Sequence, residues 1–186
     1  MSSNEIRLVL PQWIDEEIDN AHAFADDEAR VGFAIRLARR NIENNTGGPF
    51  GAAIFDADGR VVGAGVNIVL PQHCSAAHAE IVAFGVAQAR LERARLNESG
   101  GRFILATSAQ PCAMCYGASF WAGIDEILIG ARSDDVAELT EFDEGPLPDD
   151  WIGELGKRGI VVRRDILRDE AREVFKLYAR SDGARY

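Results

Sequence analysis

Apolar residues recur with helical spacing early in the chain and then change to strand-like runs. Residues 50–55 and 60–70 are two such runs, and Asp58-Gly59 between them is typical of a tight hairpin turn. The pattern therefore predicts a helix over 31–41 followed by a pair of antiparallel strands. Four apolar residues define the helical face: Val31, Ala34, Ile35 and Ala38.

Helical and strand-like segments alternate in the rest of the chain, which predicts an α/β fold with a mixed sheet covered on both faces. Residues 141–159 are acidic, contain glycine and prolines, and are predicted as a long loop. In chain order the other segments are a helix over 76–95 with Ser75 as N-cap, a strand over 103–107, a helix over 112–122, a strand over 126–130, a helix over 133–139 capped by Ser133, a strand over 160–163 and a helix over 169–179.

No composition shift marks a domain boundary, so residues 1–186 are predicted to form one domain. Residues 1–30 are acidic and weakly patterned, and we interpret them as an N-terminal extension. Pro11, Trp13 and Ile14 are its expected anchors on the body of the protein.

The composition and the lack of long apolar runs argue against nucleic-acid-binding proteins and membrane proteins. Thirty acidic residues against 20 basic ones give a net charge of −10, whereas nucleic-acid binding requires basic surface, so no polynucleotide partner is expected. No apolar run approaches the roughly 20 residues that span a bilayer, and no basic and apolar leader of the secretory type is visible. We therefore expect a cytoplasmic protein without membrane contact.

Two short motifs, His78-Ala79-Glu80 and Pro111-Cys112-Ala113-Met114-Cys115, fall at predicted helix starts. A helix N-terminus stabilises thiolates, which are the form of cysteine that binds metal. One imidazole and two thiolates suit Zn²⁺ and leave a fourth position for water, whose pKa zinc lowers to roughly 7. The pattern predicts one zinc ion held by His78, Cys112 and Cys115, with Glu80 as the proton shuttle.

Two other interpretations of these motifs remain open on the sequence alone. Cys112 and Cys115 could form a dithiol redox centre, because the Cys-x-x-Cys spacing also occurs in thioredoxin-like proteins. The zinc could also be purely structural, with Cys74 or His73 as a fourth ligand.

The motifs give the chain a resemblance to the cytidine-deaminase-like superfamily over about residues 31–180, and within it to the bacterial guanine deaminases. The residues that carry the resemblance are Gly47-Gly48-Pro49-Phe50-Gly51-Ala52, Asn67, Ala77-His78-Ala79-Glu80, Pro111-Cys112-Ala113-Met114-Cys115-Tyr116-Gly117-Ala118, Phe120-Trp121-Ala122, Phe142-Asp143-Glu144 and the terminal Tyr186. The resemblance implies a three-layer α/β/α sandwich around a five-stranded sheet, a homodimer, and zinc-dependent deamination of a free base, guanine to xanthine and ammonia.

The same resemblance implies roles for residues around the zinc. Asn67 would hydrogen-bond the base, Phe50 and Trp121 would pack against its face, and Glu144 would bind ring N–H groups and relay protons. Ala79 and Asp143 would be further substrate contacts. Residues 181–186, ending in Tyr186, would close over the pocket of their own chain or of a partner.

Two departures from the family pattern leave the substrate open. Gln110 precedes Pro111 where the family usually carries Glu, and Glu144 stands where the bacterial guanine enzymes carry Asp. Aminotriazines such as ammeline, or cytosine, would meet the same zinc chemistry. A tRNA adenosine deaminase and a non-catalytic zinc-stabilised binding module are the remaining alternatives.

Overall fold

A five-stranded mixed sheet forms the centre of the protein in a computed structural model that describes residues 6–18 and 23–181. The strands are β1 (Gly51–Phe55), β2 (Val61–Val66), β3 (Ile104–Ala109), β4 (Glu126–Ala131) and β5 (Val161–Arg163). Their order in the sheet is β2-β1-β3-β4-β5. β1 runs antiparallel to both of its neighbours, whereas β3, β4 and β5 are parallel.

Helices cover both faces of this sheet, so the predicted three-layer α/β/α sandwich is confirmed. The cluster on one face includes side chains of α2 and α7, and the cluster on the other includes side chains of α3 and α4. In chain order the helices are α1 (Trp13–Glu17), α2 (Asp27–Glu43), α3 (Ala79–Leu91), α4 (Ala113–Ala122), α5 (Ser133–Leu139), α6 (Trp151–Gly156) and α7 (Arg168–Arg180).

Successive residues of β1 serve opposite cores, as the two-residue period of a strand requires. Ala53 and Phe55 pack in the cluster that contains α2, whereas Ile54 packs in the cluster that contains α3. In β2, a Cβ atom on Gly65 would lie 2.2 Å from the carbonyl oxygen of Ala79. Glycine at this position therefore allows the first turn of α3 to lie directly on the sheet.

The start of α3 differs from the prediction, since the helix begins at Ala79 and not at residue 76. The amide of Ile68 donates to the carbonyl of Ala77 at 3.0 Å, and this bond holds the preceding segment beside residue 68. His78 has extended backbone angles and occupies the N-cap position. The predicted Ser75 cap was therefore wrong, because a tertiary hydrogen bond overrides local capping preference.

Several other bounds also differ from the sequence prediction, such as the end of α3 at Leu91 and the end of β2 at Val66. The loop predicted over 141–159 contains α6, whose N-cap Asp150 accepts from the amide of Gly153 at 3.0 Å and whose Leu155 is buried. Helix α5 has the predicted end at Leu139, but its N-cap is Arg132 instead of Ser133.

The N-terminal anchors lie where they were predicted. Trp13 and Ile14 are buried in α1, and Pro11 is half-buried beside them. Within the described ranges, no helix combines the length and the apolar character that a membrane crossing requires.

Candidate metal centre and active site

Two helix starts bring three potential metal ligands together. His78 is the N-cap of α3, Cys112 is the N-cap of α4, and Cys115 lies in the first turn of α4. Nδ1 of His78 is 3.5 Å from Sγ of Cys112 and 3.8 Å from Sγ of Cys115. All three ligand atoms lie within 4.8 Å of one another, so the predicted cluster is present in the fold.

These separations fit a tetrahedral zinc ion. With Zn–N and Zn–S bonds of about 2.1 and 2.3 Å, tetrahedral angles place N and S ligand atoms roughly 3.6 Å apart. Among the described residues, no fourth His, Cys, Asp or Glu belongs to the group. Three protein ligands leave a coordination position for water or substrate, as in catalytic zinc sites.

The alternative fourth ligands have other surroundings. Cys74 is half-buried against the core cluster of α2, and its amide donates to the carbonyl of Val69 at 3.0 Å. His73 is exposed and has a positive φ of 49° in the turn that precedes Cys74. The closed structural zinc site is therefore not the arrangement that this fold supports.

The pKa values of the two cysteines in the cluster shift in opposite directions. A hydrogen bond from Cys115, supported by one from His78, lowers the pKa of Cys112 to about 4. The resulting hydrogen bond to Cys112 and burial together raise the pKa of Cys115 far above its usual range. The hydrogen bond with Cys112 also raises the pKa of His78. Because cysteine binds zinc as the thiolate, binding a zinc ion requires Cys115 to release its proton.

Glu80 lies beside the metal ligands without being one of them. It is the second residue of α3, and its side chain is only 6% exposed. Burial, and then the negative charge of Cys112, raises the pKa of its carboxyl group to about 7. A carboxyl group that titrates near neutral pH can both accept and return a proton, as a general acid–base must.

A second carboxyl group approaches from the loop after α5. The amide of Ala113 donates to the carbonyl of Glu144 at 2.9 Å, which joins this loop to the first turn of α4. Burial raises the pKa of the Glu144 carboxyl group to about 8, and the charges of Cys112 and Glu80 add to the effect. The neighbouring Asp143 is exposed and accepts from the amide of Gly145 at 2.8 Å, so its side chain shapes the loop.

The predicted base-binding residues Asn67 and Phe50 directly follow β2 and directly precede β1, and the amide of Asn67 donates to the carbonyl of Phe50 at 3.1 Å. Asn67 is 1% exposed and precedes Ile68, whose amide bonds to the residue before His78. Phe50 is half-buried, and its ring centroid is 5.4 Å from that of Phe142 and 5.5 Å from that of Phe175. Phe142 therefore fixes the loop that carries Glu144, a role that the sequence did not indicate.

The three further predicted contacts are at Ala79, Trp121 and Tyr186. Ala79 is buried at the start of α3, between the metal ligand and Glu80. Trp121 is 72% exposed at the far end of α4, roughly 14 Å along the helix from Cys112. Its predicted packing against the substrate remains a prediction. Tyr186 lies outside the described residues, as do residues 182–185 of the predicted capping segment.

Comparison with known proteins agrees with this geometry. Residues 25–131, which include all three metal ligands, match the family described as the cytidine and deoxycytidylate deaminase zinc-binding region. Guanine deaminase of Bacillus subtilis is 37% identical over 111 residues, which make up 60% of this chain and 67% of that protein.

Solved structures are similar over nearly the whole chain. A guanine deaminase from Nitrosomonas europaea is 40% identical, with a TM-score of 0.90, over 96% of this chain and 98% of that one. A variant of the protein NE0047 in complex with 8-azaguanine is 41% identical, with a TM-score of 0.90, over 95% of this chain and 98% of that one.

Proposed function

The chain belongs to the zinc-binding family of cytidine and deoxycytidylate deaminases, and we propose that it is a guanine deaminase, which hydrolyses guanine to xanthine and ammonia. The observation that carries the proposal is the three-ligand metal cluster with the buried Glu80 beside it. The similarity to guanine deaminases over nearly the whole chain directs the choice of base.

The reaction adds one water to C2 of guanine and breaks the bond from C2 to the amino nitrogen. A bound zinc supplies Lewis acidity, which makes water nucleophilic near neutral pH. Glu80 takes one proton from the attacking water and passes it to ring nitrogen N3. It then takes the remaining proton from the hydroxyl group on C2, as the C2 carbonyl forms, and gives it to the amino group, which departs as ammonia. Its pKa of about 7 suits both directions of transfer.

The remaining predicted contacts orient the base. Asn67 hydrogen-bonds the ring, Phe50 packs against its flat face, and the Glu144 carboxyl group meets ring N–H groups and relays protons. Ala79 and Asp143 are additional contacts to the base. A flat apolar ring with a polar edge requires this combination of an aromatic wall and a few polar groups.

Three features of the whole protein are also proposed. Met114 and Trp121 are exposed apolar residues seven positions apart on α4, and such a stripe is suited to contact with a second copy in a homodimer. Trp121 and Tyr186 would then complete the site from its own chain or its partner.

We place the protein in the cytoplasm, where Cys112 and Cys115 stay reduced, and treat residues 1–186 as one deaminase domain.

A panel of aminated substrates tests the function. Purified zinc-loaded protein is incubated with guanine, ammeline, cytosine and adenosine-containing tRNA, and ammonia release is measured. Guanine is expected to give the highest kcat/KM. If ammeline, cytosine or tRNA releases ammonia in preference to guanine, that compound replaces guanine as the proposed substrate. If no compound releases ammonia, a non-catalytic binding module is favoured.

A further inference from the structure

The side-chain amide of Asn41, on α2, is buried and hydrogen-bonds to the segments that carry the residues proposed to hold the base. Asn41 is 0% exposed, although its side chain carries two donors and an acceptor. Its Nδ2 group donates to the carbonyl of Gly48 at 2.8 Å and to the carbonyl of Asn67 at 2.9 Å. Both donors of the amide are therefore used on two segments that approach the site.

The acceptor of the same amide is also occupied. The hydroxyl group of Thr46 donates to Oδ1 of Asn41 at 2.7 Å and accepts from Nε1 of Trp13 at 3.1 Å. This chain of bonds fixes the orientation of the Asn41 amide, because Oδ1 must face Thr46 and Nδ2 must face Gly48 and Asn67. It runs from α1 to the main chain of the proposed base-binding residue.

The main chain around Asn67 is closed onto the loop before β1. The amide of Gly48 donates to the carbonyl of Asn67 at 3.1 Å, and the amide of Asn67 donates to the carbonyl of Phe50 at 3.1 Å. A Cβ atom on Gly47 would lie 1.9 Å from that same Asn67 oxygen, so only glycine permits the approach. Asn67 and Phe50 are thus held in one hydrogen-bonded unit, and Asn41 is its buried support.

We propose that Asn41 is a positioning residue for substrate: its bonds to the carbonyls of Gly48 and Asn67 hold the two segments that carry Phe50 and Asn67, and this sets the affinity for the base. The inference rests on the proposed function, because it takes Asn67 and Phe50 as the base-binding residues. The side-chain bonds of Asn41 end at Thr46, Gly48 and Asn67, and within the described ranges none reaches a zinc ligand. Its loss therefore acts on base binding and leaves metal binding intact.

The test compares Asn41→Leu with the wild-type protein. Leucine has the same branching and the same number of side-chain heavy atoms but cannot bond to Gly48 or Asn67. We expect a dissociation constant for 8-azaguanine about tenfold higher by calorimetry, with KM for guanine raised equally. Zinc content stays at one per chain and kcat within about twofold, since loss of uniform binding raises KM alone.

Two companion variants make the result decisive. Thr46→Val removes the hydroxyl group that orients Asn41, and an approximately threefold weaker binding of 8-azaguanine is expected; it also decides the matter if Asn41→Leu does not fold. Asn44→Leu is the matched control, because Asn44 is exposed and donates to the carbonyl of Arg40 within the same helix. Its affinity is expected to equal that of the wild type.

Asn67→Ala separates this inference from the proposed function. If Asn67→Ala weakens binding but folded, zinc-loaded Asn41→Leu or Thr46→Val binds 8-azaguanine as the wild type does, the positioning role of Asn41 is overturned. If Asn67→Ala itself binds normally, the role of Asn67 in holding the base fails, and the inference fails with it. A wild-type protein that binds no base contradicts the proposed function.

Discussion

The amide of Ala113, the first residue of α4, donates a 2.9 Å hydrogen bond to the carbonyl of Glu144. This bond links the helix that carries two of the proposed metal ligands to the loop that carries the half-buried Glu144 carboxyl group. Because the bond uses the main chain of Glu144, its side chain can be changed without releasing the loop.

Replacement of Glu144 tests its proposed proton relay. Glu144→Gln keeps the size of the side chain and the bond to Ala113 but removes the ionisable group. We expect kcat for guanine to fall about 100-fold, the scale of a lost general acid–base, while zinc content is unchanged. Asp149→Asn, an exposed change in the same acidic segment, serves as control. Wild-type kcat in Glu144→Gln would remove Glu144 from the mechanism.

Replacement of Glu80 tests the principal proton shuttle. Glu80→Gln is expected to lower kcat by at least about 100-fold and to retain one zinc per chain, because Glu80 is not a ligand. Steady-state kinetics and metal analysis measure the two quantities. Glu43→Gln at the exposed end of α2 should behave as the wild type. Full activity in Glu80→Gln is the result that refutes the assignment.

Removal of the metal should abolish activity, and added zinc should restore it. Cys115→Ser is expected to lose zinc, whereas Cys74→Ser, which changes a cysteine outside the cluster, should keep it. Zinc binding should release protons and strengthen as pH rises, because Cys115 has a raised pKa and must deprotonate. Calorimetry in two buffers measures the proton release. Undiminished zinc content in Cys115→Ser would argue against the ligand set.

Asp135 should contribute to stability in a pH-dependent way. It is 1% exposed and accepts from Nε of Arg168 at 2.7 Å and from the amide of Arg132 at 2.8 Å. The hydrogen bond from Arg168 is the main cause that lowers its pKa in the folded state. The unfolded chain therefore takes up this proton first as pH falls, and the stabilisation, full above about pH 4, is lost below it.

Urea unfolding of Asp135→Asn measures this contribution. At pH 7 the variant should lose about 3 kcal/mol, since two arginines lose their buried partner. The difference from the wild type should shrink toward pH 3. Glu138→Gln, at an exposed partner of Arg172, should change stability by less than about 0.5 kcal/mol. A difference that is independent of pH would contradict the ionic interpretation.

The proposed homodimer can be tested at α4. Trp121→Lys places a charge on the most exposed residue of the apolar stripe and should convert a dimer to a monomer in sedimentation velocity. Ile6→Lys is the matched control, because Ile6 is 91% exposed but lies in the N-terminal segment. A monomeric wild type, or a dimer that persists in Trp121→Lys, would reject this interface.

The α/β class, the mixed sheet and the residues of the metal cluster could all be predicted from the amino-acid sequence alone. Strand-like runs and helical spacing are local signals. Cys112 and Cys115 are only three positions apart at a helix start, so their ability to bind a metal could be predicted from a short segment of sequence. The match of the N-terminal anchors Trp13 and Ile14 has the same origin, since large apolar residues in an acidic segment are expected to be buried.

Other features depend on contacts between segments that are distant in the chain. The bond between Ile68 and Ala77 moved the start of α3 to Ala79 and made His78 its N-cap. The pKa values of Glu80 and Glu144 are raised because packing shields both carboxyl groups from water. Asn41 can bond to Asn67, 26 positions later in the sequence, only because the fold brings the two residues together. Burial and long-range hydrogen bonds are properties of the folded chain, so no local pattern reports them.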